Sequence, residues 1–243
     1  MTSLRVALIS SIALLGTVLA APSFAYEGGA VSNGGSIKGT ISVSDKGLQD
    51  EVLTVAKDKT YCGELPAEKF LVSATGGLQN AVVKIEGISQ GKAFDAKAEF
   101  SMTNKQCRFV PHVGVVTKGG MMKVRNDDPL LHNSHFYLVQ ANSKKKNVIN
   151  LALPKQGIEI GKSKILRKPG LLSVECDAHD FMQGWVWVLE HPYGAVTDSD
   201  GGFVLEDVPA GSYKLTIWHE ALGEKTADVT VKAGKGATVD VSF

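Results

Sequence analysis

Residues 36–43 alternate between polar or small positions and the apolar Ile37, Ile41 and Val43, the period-two pattern of a half-buried strand. Residues 70–73 and 81–85 predict two more strands around the turn signal Gly76-Gly77. Residues 99–103, 109–116 and 121–125 predict paired β segments, and residues 148–153 and 158–166 weaker ones. Residues 171–175 and 185–189 are strand-like runs on either side of one short loop. Beyond them, residues 196–203 predict a hairpin with an acidic turn, and Val208-Pro209-Ala210-Gly211 a second turn into the alternating residues 214–218. No helical period is sustained anywhere; residues 48–58 predict one short helix. The expectation is an all-β chain.

The loop between the runs at 171–175 and 185–189 carries the chemistry. It reads Cys176-Asp177-Ala178-His179-Asp180-Phe181-Met182, placing a thiol, an imidazole and a thioether at spacing Cys-x2-His-x2-Met. Cysteine sulfur, histidine nitrogen and a weak axial methionine make up the ligand set of a type 1 copper site once a second histidine joins them. His132, in Leu130-Leu131-His132-Asn133-Ser134-His135-Phe136, is the candidate, delivered by the turn Asn126-Asp127-Asp128-Pro129. The thioether favours copper over zinc.

With these motifs, residues 98–190 resemble the cupredoxins, the amicyanin type more than the plastocyanin type. Phe109-Val110-Pro111 and the run from Gly119 to Asn126 resemble the strands before the first copper histidine. The resemblance implies a Greek-key β-sandwich holding one type 1 copper, with His132, Cys176 and His179 as equatorial ligands and Met182 as the axial one. Asp180 stands where amicyanin-like loops carry proline, a departure bearing on loop rigidity. If Cys176 is a ligand, Cys62 and Cys107 remain, and they are expected to pair as a disulfide; the alternatives are a free thiol or a further ligand. Asn133 is expected to brace the ligand loops through hydrogen bonds. His135 lies an odd number of residues from His132 and so faces the other side of a strand. It is read as a neighbour or a sheet-surface residue, and His112 as a fifth ligand or a hydrogen-bonded neighbour. His191 and His219 fall in the tail, the latter at a strand end.

Residues 191–243 resemble the carboxypeptidase regulatory-like domain, a small transthyretin-like β-sandwich, through Thr197-Asp198-Ser199-Asp200-Gly201-Gly202-Phe203 and Pro209-Ala210-Gly211-Ser212-Tyr213. They are short for a complete sandwich. The strands at 35–43 and 81–85 are expected to open the same module, with the copper-type domain inserted into it or packed against it. The alternative is a longer N-terminal region, residues 26–97, followed by a separate tail. Asp198 and Asp200 open a sequence like a calcium loop, but the twelfth position is Pro209 rather than glutamate, so a turn is expected.

Residues 1–25 carry Arg5, an apolar run and small residues before Tyr26, the pattern of a secretory signal peptide rather than a membrane span. Without Arg5, 25 Lys+Arg face 25 Asp+Glu, and no basic excess points to nucleic acid or an anionic membrane. Export and a disulfide suit the periplasm. Lys144-Lys145-Lys146 is expected in a solvated loop. No acid–base pair or additional His-x-His pair suggests an enzyme. The expected function is single-electron transfer with a redox partner protein, of cytochrome or dehydrogenase type. The alternatives are a copper chaperone or sequestering protein, and a metal-free structural module.

Overall fold

The computed structural model describes residues 25–45 and 48–243, so the expected leader at 1–25 lies outside them but for its last residue. Among the described residues no helix is long and apolar enough to cross a membrane. The first strands are β1 (Glu27–Gly29), β2 (Gly35–Ser42), β3 (Val82–Ile85), β4 (Gln90–Lys92), β5 (Glu99–Lys105), β6 (Arg108–Val110) and β7 (Val113–Thr117). There follow β8 (Met121–Asn126), β9 (His132–Val139), β10 (Lys145–Leu153), β11 (Glu159–Lys162), β12 (Gly170–Glu175) and β13 (Gln183–Leu189). The chain ends with β14 (Gly194–Val196), β15 (Gly202–Val208), β16 (Gly211–His219), β17 (Gly223–Val231), β18 (Gly236–Thr238) and β19 (Val241–Ser242). One helical turn, α1, spans Lys59–Cys62. The all-β class and the two sandwiches expected from the sequence are what the structure shows.

The first sandwich faces a five-stranded sheet, β10-β9-β12-β13-β7, with a four-stranded one, β11-β8-β5-β6. Strand alternation decides what fills it. Leu172 and Val174 of β12, Val186 and Val188 of β13 and Phe136 of β9 point inward against Met102, Met122 and Val124, all nearly or fully buried. The second sandwich has sheets β14-β3-β16-β17 and β15-β2-β18, with β19 also on β2. Its core holds Ile37 and Ile41 of β2, Val83 and Ile85 of β3, and Leu215 and Ile217 of β16.

β2 lies antiparallel to β15 and parallel to β18 and β19, while β3 lies between β14 and β16. Two early strands therefore complete the sheets of the last fifty residues, and the first sandwich is inserted in the chain after β3 and before β14. The outward face of β13 supplies the junction. Trp185 and Trp187 meet Trp218 of β16 edge to face, with ring centroids 5.6 and 6.0 Å apart. Val82 and Val113 are buried in the same cluster.

Several local expectations are corrected. Residues 48–58 are not helical. Leu53 N–H bonds Leu65 C=O, Ala67 N–H bonds Glu51 C=O, and the Asp50 carboxylate accepts the N–H groups of Glu68, Lys69 and Phe70. These pairings leave room only for one turn at 59–62. Residues 70–73 make a bridge, Val72 to Leu78, instead of a strand, because the turn at Gly76 folds them back at once. The run 109–116 is split at Pro111, which has no N–H to give a ladder, β6 going to one sheet and β7 to the other. The run 158–166 gives β11 and then a 3-10 turn, Ser163–Arg167. The acidic turn at 198–201 joins β14 and β15, which lie in different sheets, so it is a corner and not a hairpin. Gly201 takes φ +77° there, and a Cβ on it would sit 2.1 Å from Ile41 O. The Asp198 carboxylate accepts the N–H groups of Asp200 and Gly202, the role of a turn residue. Lys145 and Lys146 open β10, and Lys145 pairs with Glu175.

Candidate metal centre

His132 is the first residue of β9, and Cys176 directly follows β12, its antiparallel neighbour. The sheet thus sets the first imidazole beside the thiol. The loop to β13 then makes two consecutive tight turns, His179 N–H to Cys176 C=O at 3.2 Å and Met182 N–H to His179 C=O at 3.0 Å. Each turn brings the next donor back to the same end of the sandwich.

The thiol Sγ of Cys176 lies 3.8 Å from Nδ1 of His132 and 3.8 Å from Nδ1 of His179. Ligand atoms of these three residues all fall within 4.8 Å of one another. The imidazole centroids are 4.7 Å apart. A metal held at bond lengths of about 2.3 Å to sulfur and about 2.0 Å to nitrogen, at trigonal angles, keeps the sulfur about 3.7 Å from each nitrogen. The three side chains fit such an ion as they stand. Met182 is buried at 2% exposure on the same loop.

The outward nitrogens explain the orientation. His132 Nε2 meets Asp128 Oδ2 at 2.9 Å, and His179 Nε2 meets Asp58 Oδ2 at 2.9 Å. A carboxylate only accepts, so Nε2 of each ring donates, and in the neutral ring Nδ1 then presents its lone pair inward, the state a metal ligand needs. Burial, acting against the Asp128 hydrogen bond, lowers the pKa of His132 and keeps that ring neutral. Asp128 loses ionisation to burial, but the N–H groups of Cys107 and Gln106, the Tyr61 hydroxyl and His132 outweigh it and hold its pKa below the ordinary carboxylate value. Burial pushes the Cys176 thiol up, against the N–H groups of Asn133, Ala178 and His179. A bound cation would draw that proton off.

Asn133 ties the two ligand segments together. Its Oδ1 accepts Ala178 N–H at 3.1 Å, its Nδ2 donates to Asn150 Oδ1 at 2.9 Å, and its own N–H points at Cys176 Sγ at 3.5 Å. His135 turns to the sheet surface, where Nδ1 meets Asp177 Oδ1 at 3.1 Å and the Tyr137 hydroxyl at 2.8 Å. His112 stands outside the thiol–imidazole group. Its Nε2 pairs with Glu220, whose other oxygen accepts Trp185 Nε1–H at 2.9 Å, and its Nδ1 lies 3.9 Å from Glu68. It lines a cavity of about 460 Å³ that Cys176 and Met182 also border. His191 and His219 are buried in the second sandwich. Cys62 and Cys107 form a disulfide, and Cys176 is a free thiol. Asp58 and Asp128 were not among the site residues read from the sequence. Asp128 stood in a turn motif, whereas Asp58 lies 121 residues from its histidine and gave no local signal.

The carboxypeptidase regulatory-like domain family matches residues 186–243 of this chain. No curated protein matches it. Among solved structures, a reduced amicyanin variant aligns with 18% identity over 40% of this chain and 86% of its own, at a TM-score of 0.31. A second amicyanin variant, in its Cu(I) form, aligns with 16% identity over 44% and 98%, at 0.32. A copper-containing nitrite reductase from Thermus scotoductus aligns with 20% identity over 41% of this chain and 24% of its own, at 0.31.

Proposed function

We propose that this chain is a periplasmic type 1 copper protein that carries single electrons between redox partner proteins. The observation that carries the reading is the buried thiol placed 3.8 Å from two inward-facing imidazole nitrogens, with a buried thioether on the same loop. Such a donor set suits both copper oxidation states, so a bound copper would supply a one-electron couple with little rearrangement.

The protein's own groups support that role. His132 and His179 are pre-oriented by carboxylates, and their side chains have 0% exposure, which keeps water off both rings. Phe136 and Phe181 pack in the same apolar cluster as Cys176 and Met182. Asn133 fixes the loop on which three of the four donors sit, so gain or loss of an electron would move few atoms. The buried disulfide is consistent with an oxidising compartment.

The test is the visible spectrum of the protein after addition of Cu(II), beside Cys176→Ala. An intense thiolate-to-copper band lost in the variant is the expected result. A colourless protein that binds Cu(I) would favour a chaperone, and one that binds neither ion a structural β module.

A further inference from the structure

Residues 51–70 belong to neither sandwich by strand pairing, yet they are fastened to the first at many points. Val55, Cys62 and Leu65 are buried in its core. The disulfide joins Cys62 to Cys107, and Glu68 pairs with Arg108 at 3.0 Å. Two further contacts reach the donor histidines from outside. Tyr61 donates its hydroxyl to Asp128 at 2.9 Å, and Asp128 holds His132. Asp58 holds His179 directly.

Asp58 is placed at a cost to the local helix. It occupies the N-cap position of α1, where an aspartate ordinarily accepts a backbone N–H of the first turn. Here it makes no side-chain cap bond, its backbone is left-handed at φ 54°, and its carboxylate reaches across to His179 instead. A residue diverted from its local partner to a distant imidazole is serving that imidazole.

We propose that residues 51–70 form a strap that is a working part of the metal centre, with Asp58 as the positioning residue that holds Nδ1 of His179 inward and closes the outer edge of the ring. The strap reaches His132 too, through Tyr61 and Asp128, so one segment governs both imidazoles. With the ring edges closed, an approaching partner or chelator meets the strap before it meets either imidazole. The metal-dependent part of this inference rests on the copper reading; the grip on His179 does not.

The experiment uses the full chain. In metal-free protein held well above the ordinary imidazole pKa, 15N NMR of the imidazoles is expected to show His179 in the Nε2–H form. Asp58→Ala should give a mixture of tautomers and weaken copper affinity by about 10- to 100-fold, measured against a competing chelator. Asp58→Asn keeps an acceptor oxygen and should preserve the tautomer with a smaller loss. Glu64→Gln, an exposed strap change touching neither ring, should alter nothing. An Asp58→Ala protein with unchanged tautomer and unchanged affinity would overturn the proposal. If the tautomer shifts as expected but no variant takes up copper, the copper reading falls and the strap's hold on His179 stands.

Discussion

Asn133 is the side chain on which the loop geometry turns. Its carboxamide bonds Ala178 and Asn150, and its backbone N–H faces the thiol, so it links β9, β10 and the ligand loop. Asn133→Ala leaves two polar groups to find other partners, a loss of about 1–3 kcal/mol. The expected outcome is a lower urea midpoint together with a broader charge-transfer band in copper-loaded protein, because the loop would sample several geometries. At this scale the sequence was legible where the chemistry was local. Cys176, His179 and Met182 announce themselves by spacing, and Asn133 by its place beside His132. The carboxylate on His179 was not legible, because its partner lies 121 residues away and an aspartate in a polar stretch looks like any other. His112 was read as a fifth ligand or a hydrogen-bonded neighbour of the centre; the fold gives it Glu220 as a partner, whose position no local pattern predicts.

Among the elements, β13 shows how one strand serves two bodies. Its even positions, Gly184, Val186 and Val188, fill the first sandwich, and its odd ones, Trp185 and Trp187, build the junction with Trp218. Trp218 is 7% exposed and makes edge contacts with both of the others. Trp218→Ala is expected to cost about 3–5 kcal/mol. Scanning calorimetry should show the loss as a lower unfolding temperature, and the emission of the remaining tryptophans should shift to the red as water reaches them. The strand at 185–189 was readable from sequence as a continuous apolar run, but a run of that kind does not say what covers each face, and only the tertiary fold sets Trp218 against the two tryptophans. The corner at 198–201 has the same lesson. Turn chemistry was plain in Asp198, Gly201 and Gly202, yet a turn motif does not say whether the two strands it joins share a sheet.

Taken whole, the molecule carries a pH dependence away from its candidate centre. Burial lowers the pKa of His191, against the Ile85 backbone bond, and that of His219, against nearby Glu220. His219 Nε2 also has no hydrogen-bond partner among the described residues. Both histidines bind a proton more readily in the unfolded chain, so the unfolded state takes up more protons as pH falls below about 6.5, and stability drops with it. Urea midpoints are expected to fall between pH 7.5 and 5.5 in metal-free protein, with a smaller fall in His219→Phe. The interleaving of the two sandwiches also bears on how the chain is made. β2 is the first long strand to be synthesised, but its partners β15, β18 and β19 come after residue 201. Until then its edges lack their strand partners and its apolar face has only β3 and the segment before it to lie against, while β5 to β13 can collapse among themselves. The inserted sandwich therefore has the means to finish first and hold β3 and β14 near one another. The outer sandwich is the last part of a newborn chain to close, and a ribosome that stalls before residue 202 leaves β2 as a bare edge open to aggregation.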